Sequence, residues 1–232
     1  AYNAAQVVVR EQQSPFNPLF IHGGYGVGKT HILQGICNQV SQVRPQTRWL
    51  YLSAEDFANQ FILALKTKKL ETFRRRMRQT DLLAIDDIHF FSNKPSTQEE
   101  FLHTFNAVAG QGKQVVMASD AHPKLIGHLS ESLVNRFVSG MVVRIEPPDK
   151  ALRIGILKQR AERRNDDIPE VVIEYVAERF SSNVRELEGA LLKLIALADL
   201  TGEPVTVALA EGAVHDLVEN TLPVLRLSHI EA

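Results

Sequence analysis

Cysteine is nearly absent. Cys37 is the only one in 232 residues, so no disulfide can form within the chain. That fits a reducing compartment such as the cytoplasm. Long apolar runs are missing too: no uncharged stretch reaches the roughly 18 to 20 residues a membrane span needs. No signal peptide opens the chain. Charge of one sign is also lacking, with 26 basic and 27 acidic residues and a formal net charge of −1. The protein as a whole is therefore not a basic nucleic-acid binder, and any contact with DNA must come from a local patch. The eight histidines are scattered and no H-E-x-x-H occurs, so no metal-ligand cluster is evident. Internal repeats and low-complexity segments are absent. The chain opens on Ala1 without a methionine, inside a helical pattern over Ala1–Glu11. It ends on Leu225–Ala232, which reads as the start of another helix, so the sequence is expected to be a piece of a longer protein.

What is present divides near residue 147. The first part alternates short apolar runs with amphipathic stretches. Strands are predicted at Leu19–His22, Arg48–Leu52, Leu82–Ile85, Gln114–Ala118 and Met141–Ile145. Helices are predicted at Lys29–Val40, Ala54–Leu65, Leu70–Gln79 and Ser96–Gly110, the last with a capping box of Ser96 and Glu99 and a closing Gly110. Such alternation predicts a doubly wound, five-stranded parallel sheet covered on both faces. After Glu146-Pro147-Pro148 only helices are predicted: Asp149–Arg164, Pro169–Phe180, Asn183–Leu197 and Thr206–Glu219. Pro169 suits a first helical position, Ser182 can cap the third helix, and Gly212 weakens the fourth. The expected organisation is an α/β part over 1–147, a small all-α part over 148–220, and the start of a linker or helix over 221–232.

The strongest signal is Gly23-Gly24-Tyr25-Gly26-Val27-Gly28-Lys29-Thr30, which matches G-x-x-x-x-G-K-[ST] between a predicted strand and a predicted helix. In such a loop Gly24, Gly26 and Gly28 let main-chain N–H groups turn toward phosphates, and the helix N-terminus adds its partial positive charge. Lys29 can bridge the β- and γ-phosphates, and the Thr30 hydroxyl can hold Mg²⁺. The bland alternative is a flexible turn, and the flanking strand and helix argue against it. His31 follows directly; it can approach a phosphate or face solvent. Leu82-Leu83-Ala84-Ile85-Asp86-Asp87 is an apolar strand ending in two acids. At the carboxyl end of a central strand, Asp86 can face the Mg²⁺ and Asp87 can orient an attacking water. Two acids in a strand-to-loop turn are otherwise ordinary. Together the two motifs predict ATP or ADP with Mg²⁺ as the ligands.

Several stretches resemble one family. They are Asn17-Pro18-Leu19-Phe20-Ile21-His22-Gly23-Gly24 leading into Gly28-Lys29-Thr30-His31, then Ile85-Asp86-Asp87-Ile88-His89-Phe90-Phe91, then Gln98-Glu99-Glu100-Phe101-Leu102-His103-Thr104-Phe105-Asn106-Ala107. Ile145-Glu146-Pro147-Pro148 and Asn183-Val184-Arg185-Glu186-Leu187-Glu188-Gly189-Ala190-Leu191 complete the set. Over about residues 1–220 the chain is similar to the AAA+ domain of the DnaA family of bacterial replication initiators.

The resemblance implies an ATP-dependent initiator of chromosome replication in the bacterial cytoplasm. Its ATP form assembles into a filament on origin DNA, opens the duplex, and is switched off by slow hydrolysis. It implies a lid over 148–220, a C-terminal DNA-binding domain beyond the linker, and the replicative helicase or its loader as a further partner. It gives Asp120, after Ser119, the part of a γ-phosphate sensor. Arg136, in Leu133-Val134-Asn135-Arg136-Phe137, resembles an arginine finger that reaches a neighbouring subunit's ATP. Arg185 matches a lid arginine aimed at the phosphates. Without the family, these three read as a turn aspartate, a surface arginine and an i,i+3 partner for Glu188. Two positions depart from the pattern: Ser132 stands where the family usually has a second arginine, and Ser139 where it often has a tryptophan.

Lys66, Lys68, Lys69, Arg74, Arg75, Arg76 and Arg78 crowd into thirteen residues with one acid, Glu71. The family uses this inserted region, with the loop near Lys94, to grip single-stranded DNA. A positive groove along a DNA backbone is physically sensible, and a solvated basic face is the equal alternative. Ser96 sits where some relatives carry a basic residue, and Phe61 and Phe73 read as core rather than as stacking platforms. Rival functions are a DnaA-like regulator of the Hda type, a helicase loader, and a metabolic P-loop kinase. The kinase would need an acceptor site and would not need Arg136 and Arg185.

Overall fold

The computed structural model describes residues 1–11, 13–164, 166–180 and 183–219. The chain separates into two compact units, Ala1–Glu146 and the residues from Pro147 onward. The linker or helix expected over 221–232 lies outside the described residues.

The first unit is built on a parallel sheet of β1 (Leu19–His22), β2 (Trp49–Ser53), β3 (Leu82–Asp86), β4 (Gln114–Ser119) and β5 (Met141–Arg144), in the order β2-β3-β4-β1-β5. The register pairs Leu19 with Val116 and Met141, Leu82 with Gln114, and Ser53 with Asp86. The central strands are apolar on both faces because both are covered: Leu19, Phe20, Ile21, Leu83, Ala84 and Ile85 are fully buried. Alternation sorts them. Leu19, Ile21, Leu82 and Ala84 pack against α1 (Tyr2–Arg10) and α2 (Lys29–Val43), with Leu33 and Ile36. Phe20, Leu83 and Ile85 face the other way, into a core shared with α3 (Ala54–Lys66), α4 (Leu70–Arg78), α5 (Pro95–Ala109) and α6 (Glu131–Val138). That second core is aromatic. Phe101 lies 4.8 Å from Phe91 and 5.3 Å from Phe57, ring centroid to centroid. Phe61 and Phe73 belong to it, buried and 6.1 Å apart.

Several boundaries differ from expectation for identifiable reasons. The Ser96–Glu99 capping box does not form. Pro95 takes the first position of α5, so Lys94 is the N-cap and Ser96 falls inside the helix and is exposed. A capping box does form at α3, where Ser53 Oγ accepts from the Asp56 N–H and the Asp56 carboxylate accepts from the Ser53 N–H. Short 3₁₀ turns at Ile88–Phe91 and Pro123–Leu125, and the whole of α6, were not anticipated. Ser130 caps α6 by accepting from the Leu133 N–H, and Leu133 and Phe137, one turn apart, are its buried anchors.

The second unit is helical: α7 (Lys150–Arg164), α8 (Glu170–Arg179), α9 (Val184–Thr201) and α10 (Val207–Glu219). Leu157, Val172, Val176, Leu187, Leu191 and Leu194 form its core. Pro169 is the N-cap of α8 rather than its first helical residue. Asn183 caps α9, its Oδ1 accepting from the Glu186 N–H at 2.7 Å; Ser182 lies outside the described residues. Helix α10 continues through Gly212.

Candidate functional site

The strand order brings three chain segments together at the carboxyl ends of neighbouring strands, where α/β sheets bind ligands. β1 runs into Gly23–Thr30, β3 ends on Asp86, and β4, lying between them, ends on Ser119 beside Asp120. The Gly23 N–H donates to the Ser119 carbonyl, which ties the loop to β4.

The loop's conformation requires glycine at two places for different reasons. Gly28 is the N-cap of α2 at φ 99°, a left-handed conformation that side chains rarely adopt. At Gly23 the obstacle is a close approach, since a Cβ there would lie 2.6 Å from the Ile145 carbonyl oxygen. Helix α2 has no side-chain cap and no acid in its first turn. The N–H groups there, with the positive end of the helix, remain for an anion.

Lys29 is buried and already surrounded by oxygen. Its ammonium donates to the carbonyls of Gly23 at 3.0 Å and Gly24 at 2.8 Å, and it pairs with Asp120 Oδ1 at 2.6 Å. The Asp120 carboxylate holds the position relative to lysine that a phosphate oxygen would take. Asp86 is only 2% exposed. Its Oδ1 accepts from the Asp87 N–H at 2.9 Å and its Oδ2 from the Tyr51 hydroxyl at 3.0 Å. Each oxygen keeps a further lone pair. These donors and acceptors are of the kind that fit a magnesium-bound nucleoside phosphate, for which Thr30 and Asp86 could offer oxygen ligands to the ion.

Asp87 stands at φ 53° and points its side chain outward, at the turn that leads into the 3₁₀ segment. Partial burial raises its pKa, and the neighbouring Asp86 charge raises it further. The Tyr51 pKa is also raised, first by burial and then by Asp86. Tyr51 is a site residue that sequence reasoning missed. It sits on β2, and only the strand pairing brings it to Asp86. Gln98 lies outside the corner: buried on α5, it donates to the carbonyls of Phe91 and His128 and accepts from the Ser130 N–H. It thereby links the turn after the acids to the cap of α6, the helix that carries Arg136.

His31 and Arg136 do not join this corner. His31 is exposed in the first turn of α2. Arg136 is exposed on α6 and makes no ion pair among the described residues; Ser139 closes that helix by donating to the Arg136 carbonyl at 2.7 Å. Arg185 lies in the first turn of α9, in the second unit, where Glu188 is held by Arg160 at 2.6 Å.

The basic run is not uniform. Lys66, Lys68, Lys69, Arg75 and Arg76 are exposed, and Arg76 donates to Gln60 Oε1 at 3.0 Å. Arg74 is committed elsewhere: its guanidinium grips the buried Glu100 carboxylate through two bonds of 2.9 and 2.8 Å. This bond raises the Arg74 pKa. The Lys94 ammonium is turned inward, donating to the Phe90 carbonyl at 2.6 Å and lying 3.7 Å from the Phe90 ring centroid.

With this geometry in place, the comparisons with known proteins are decisive. A profile of the bacterial DnaA ATPase domain matches residues 1–144. The chain belongs to this DnaA family. It is 46% identical to the chromosomal replication initiator protein DnaA of Levilactobacillus brevis over 217 residues, 94% of this chain and 48% of that protein. The chain thus spans about half the length of the curated relatives it matches. The crystal structure of domain III of Thermotoga maritima DnaA is similar at TM-score 0.87 and 38% identity, covering 93% of this chain and 89% of that one. A DnaA bound to AMPPCP and single-stranded DNA is similar at TM-score 0.76 and 39% identity, covering 84% of this chain and 60% of that one. The five-stranded parallel sheet thus belongs to a fold shared with DnaA domain III. Among the described residues no helix is long and apolar enough to cross a membrane.

Proposed function

We propose that this domain is the ATP-operated switch of a bacterial chromosomal replication initiator. The observation that carries the reading is the corner where a buried P-loop lysine, Lys29, is already ligated by main-chain oxygens and by the Asp120 carboxylate. A DnaA relative of similar structure holds AMPPCP and single-stranded DNA. In this reading ATP lies on the Gly23–Thr30 loop, with Thr30 and Asp86 holding Mg²⁺. Asp87 orients the attacking water. Asp120 and Arg185 respond to the γ-phosphate from the same subunit, and Arg136 does so from the next one. The ATP form assembles on single-stranded origin DNA and promotes opening, and slow hydrolysis reverses it. Lys66, Lys68, Lys69, Arg75 and Arg76 contact the DNA backbone.

Sedimentation with ATP and with ADP tests the switch. Wild type should form oligomers with ATP and none with ADP. Arg136→Ala should lose the oligomers while its monomer keeps its ATP affinity, because a guanidinium acting across the boundary contributes only in the assembly. Arg185→Ala should instead weaken binding or hydrolysis within one subunit. Normal assembly by Arg136→Ala would remove it from the subunit boundary.

A further inference from the structure

The corner contains one buried nitrogen that the reading above leaves unused. His89 lies in the 3₁₀ turn after the two acids, and its Nδ1 is buried with no hydrogen-bond partner among the described residues. It stands 3.8 Å from Asp120 Oδ2, too far for a hydrogen bond. The other oxygen of that carboxylate, Oδ1, is 2.6 Å from the Lys29 ammonium. Asp87, His89 and Asp120 bring potential ligand atoms within 4.8 Å of one another. Asp120 is therefore a carboxylate between two nitrogens, one bonded and one waiting.

A P-loop lysine turns to the phosphates when nucleotide binds. Asp120 then loses its cation and faces a polyanion, which repels it across a partly buried corner. Being 43% exposed, it can turn away to water, or it can stay in place by finding another donor. The donor in reach is His89, and a shift of about 1 Å brings Nδ1 to bonding distance. We propose that His89 is a positioning residue that takes over Asp120 from Lys29 when phosphate claims the lysine. The carboxylate is then held near the terminal phosphate with part of its charge offset. The benefit is largest for ATP, whose γ-phosphate brings the extra charge, so His89 helps the site distinguish ATP from ADP. The inference rests on the nucleotide reading of the site.

Calorimetric affinities for ATP and ADP test it in wild type, His89→Ala, His89→Gln, Asp120→Asn and the double variant His89→Ala/Asp120→Asn. His89→Ala should lose about fivefold or more in ATP affinity, and much less in ADP affinity, through one missing charge-assisted bond. His89→Gln, whose amide can donate, should recover most of the loss. In the Asp120→Asn background His89→Ala should cost nothing further, because the group it serves is gone. Equal losses for ATP and ADP, or a full effect retained beside Asp120→Asn, would overturn the proposal in favour of simple packing. Thermal melting checks that each variant folds. Should His89→Ala fail to fold, His89→Met against His89→Gln compares side chains of similar length without and with a donor. Wild type that binds neither nucleotide would overturn the site reading itself, a failure visible before any variant is made.

Discussion

The nucleotide corner and the α3–α4 basic segment both announce themselves as charge-bearing motifs, yet they hold charge in opposite ways. In the corner the charged groups face one another. Lys29, Asp86 and Asp120 are each bonded to main chain or to a defined side chain within a few residues of a strand end. In the basic segment the helix scatters neighbouring residues around its axis. Arg74, Arg75 and Arg76 are consecutive, so successive side chains point about 100° apart. Phe73 and Met77, one turn apart, take the core. Arg74 lies beside them and reaches Glu100, while Arg75 and Arg76 stay exposed. A contiguous motif acts as a unit where the main chain does the work. A run of side chains on a helix does not.

The largest effect expected from this contrast is at Lys29. Lys29→Ala removes the mobile cation from the phosphates, and two charge-assisted bonds are worth about 3 to 6 kcal/mol, or roughly 150- to 20,000-fold in ATP affinity. Calorimetry should show that loss while the melting curve stays near wild type, since the abandoned Asp120 side chain is 43% exposed and can turn to water. Unchanged affinity would end the P-loop interpretation.

Next comes the division inside the basic run. Arg74→Ala strands the Glu100 carboxylate, which is 4% exposed, without its cation. Removing one partner of such a pair should cost about 2 to 3 kcal/mol, reduced from the fully buried case because Arg74 is itself partly exposed. Arg75→Ala and Arg76→Ala should each stay within about 0.5 kcal/mol. Urea unfolding of the three single variants decides this, and equal stabilities would dissolve the distinction. A triple alanine variant would confuse unfolding with lost DNA contact, so DNA binding is better probed with the Arg75→Ala/Arg76→Ala double variant. If both arginines neutralise phosphates, the salt dependence of ATP-promoted single-strand binding should flatten by about 1.4 in log–log slope. Fluorescence anisotropy across a salt series measures it; an unchanged slope would leave these residues as a solvated face.

The two regions were also unequally legible in the sequence. The phosphate loop is spelled by contiguous residues, because its requirement is a main-chain path with glycine at fixed places. The parallel sheet was legible from strand–helix alternation and from apolar runs such as Leu82–Ile85. What could not be read depends on contacts between distant segments. Tyr51 reaches Asp86 only through β2–β3 pairing, and Glu100 meets Arg74 across two helices. His89 has a carboxylate beside it only because Asp120 arrives from the end of β4. The false capping box at Ser96 shows the local limit: Pro95, one residue earlier, is the better helix start and shifts the frame. Helix α6 hid because its two anchors, Leu133 and Phe137, make too short a pattern to stand out.

The smallest expected effect is a control for the ion pairs. Asp81, just before β3, accepts from the Arg48 N–H at 3.0 Å and from its guanidinium at 3.2 Å. The side-chain bond from Arg48 is the main cause that lowers the Asp81 pKa below the usual carboxylate value. A lowered folded pKa means that the folded state favours the ionised form. The pair's stabilisation is therefore complete above the unfolded pKa, about 3.9, and is lost as pH falls through the lower folded value. Solvent screens this pair far more than Arg74–Glu100, since its side chains are 65% and 36% exposed. Asp81→Asn should thus destabilise the domain at pH 7 by clearly less than Arg74→Ala does. Its difference from wild type should shrink between pH 5 and pH 3, because wild type then loses the same charge. Urea midpoints for both proteins across that range measure the difference. A gap that persists unchanged at pH 3 would show that Asp81 acts through its neutral hydrogen bond to the Arg48 main chain rather than through its charge.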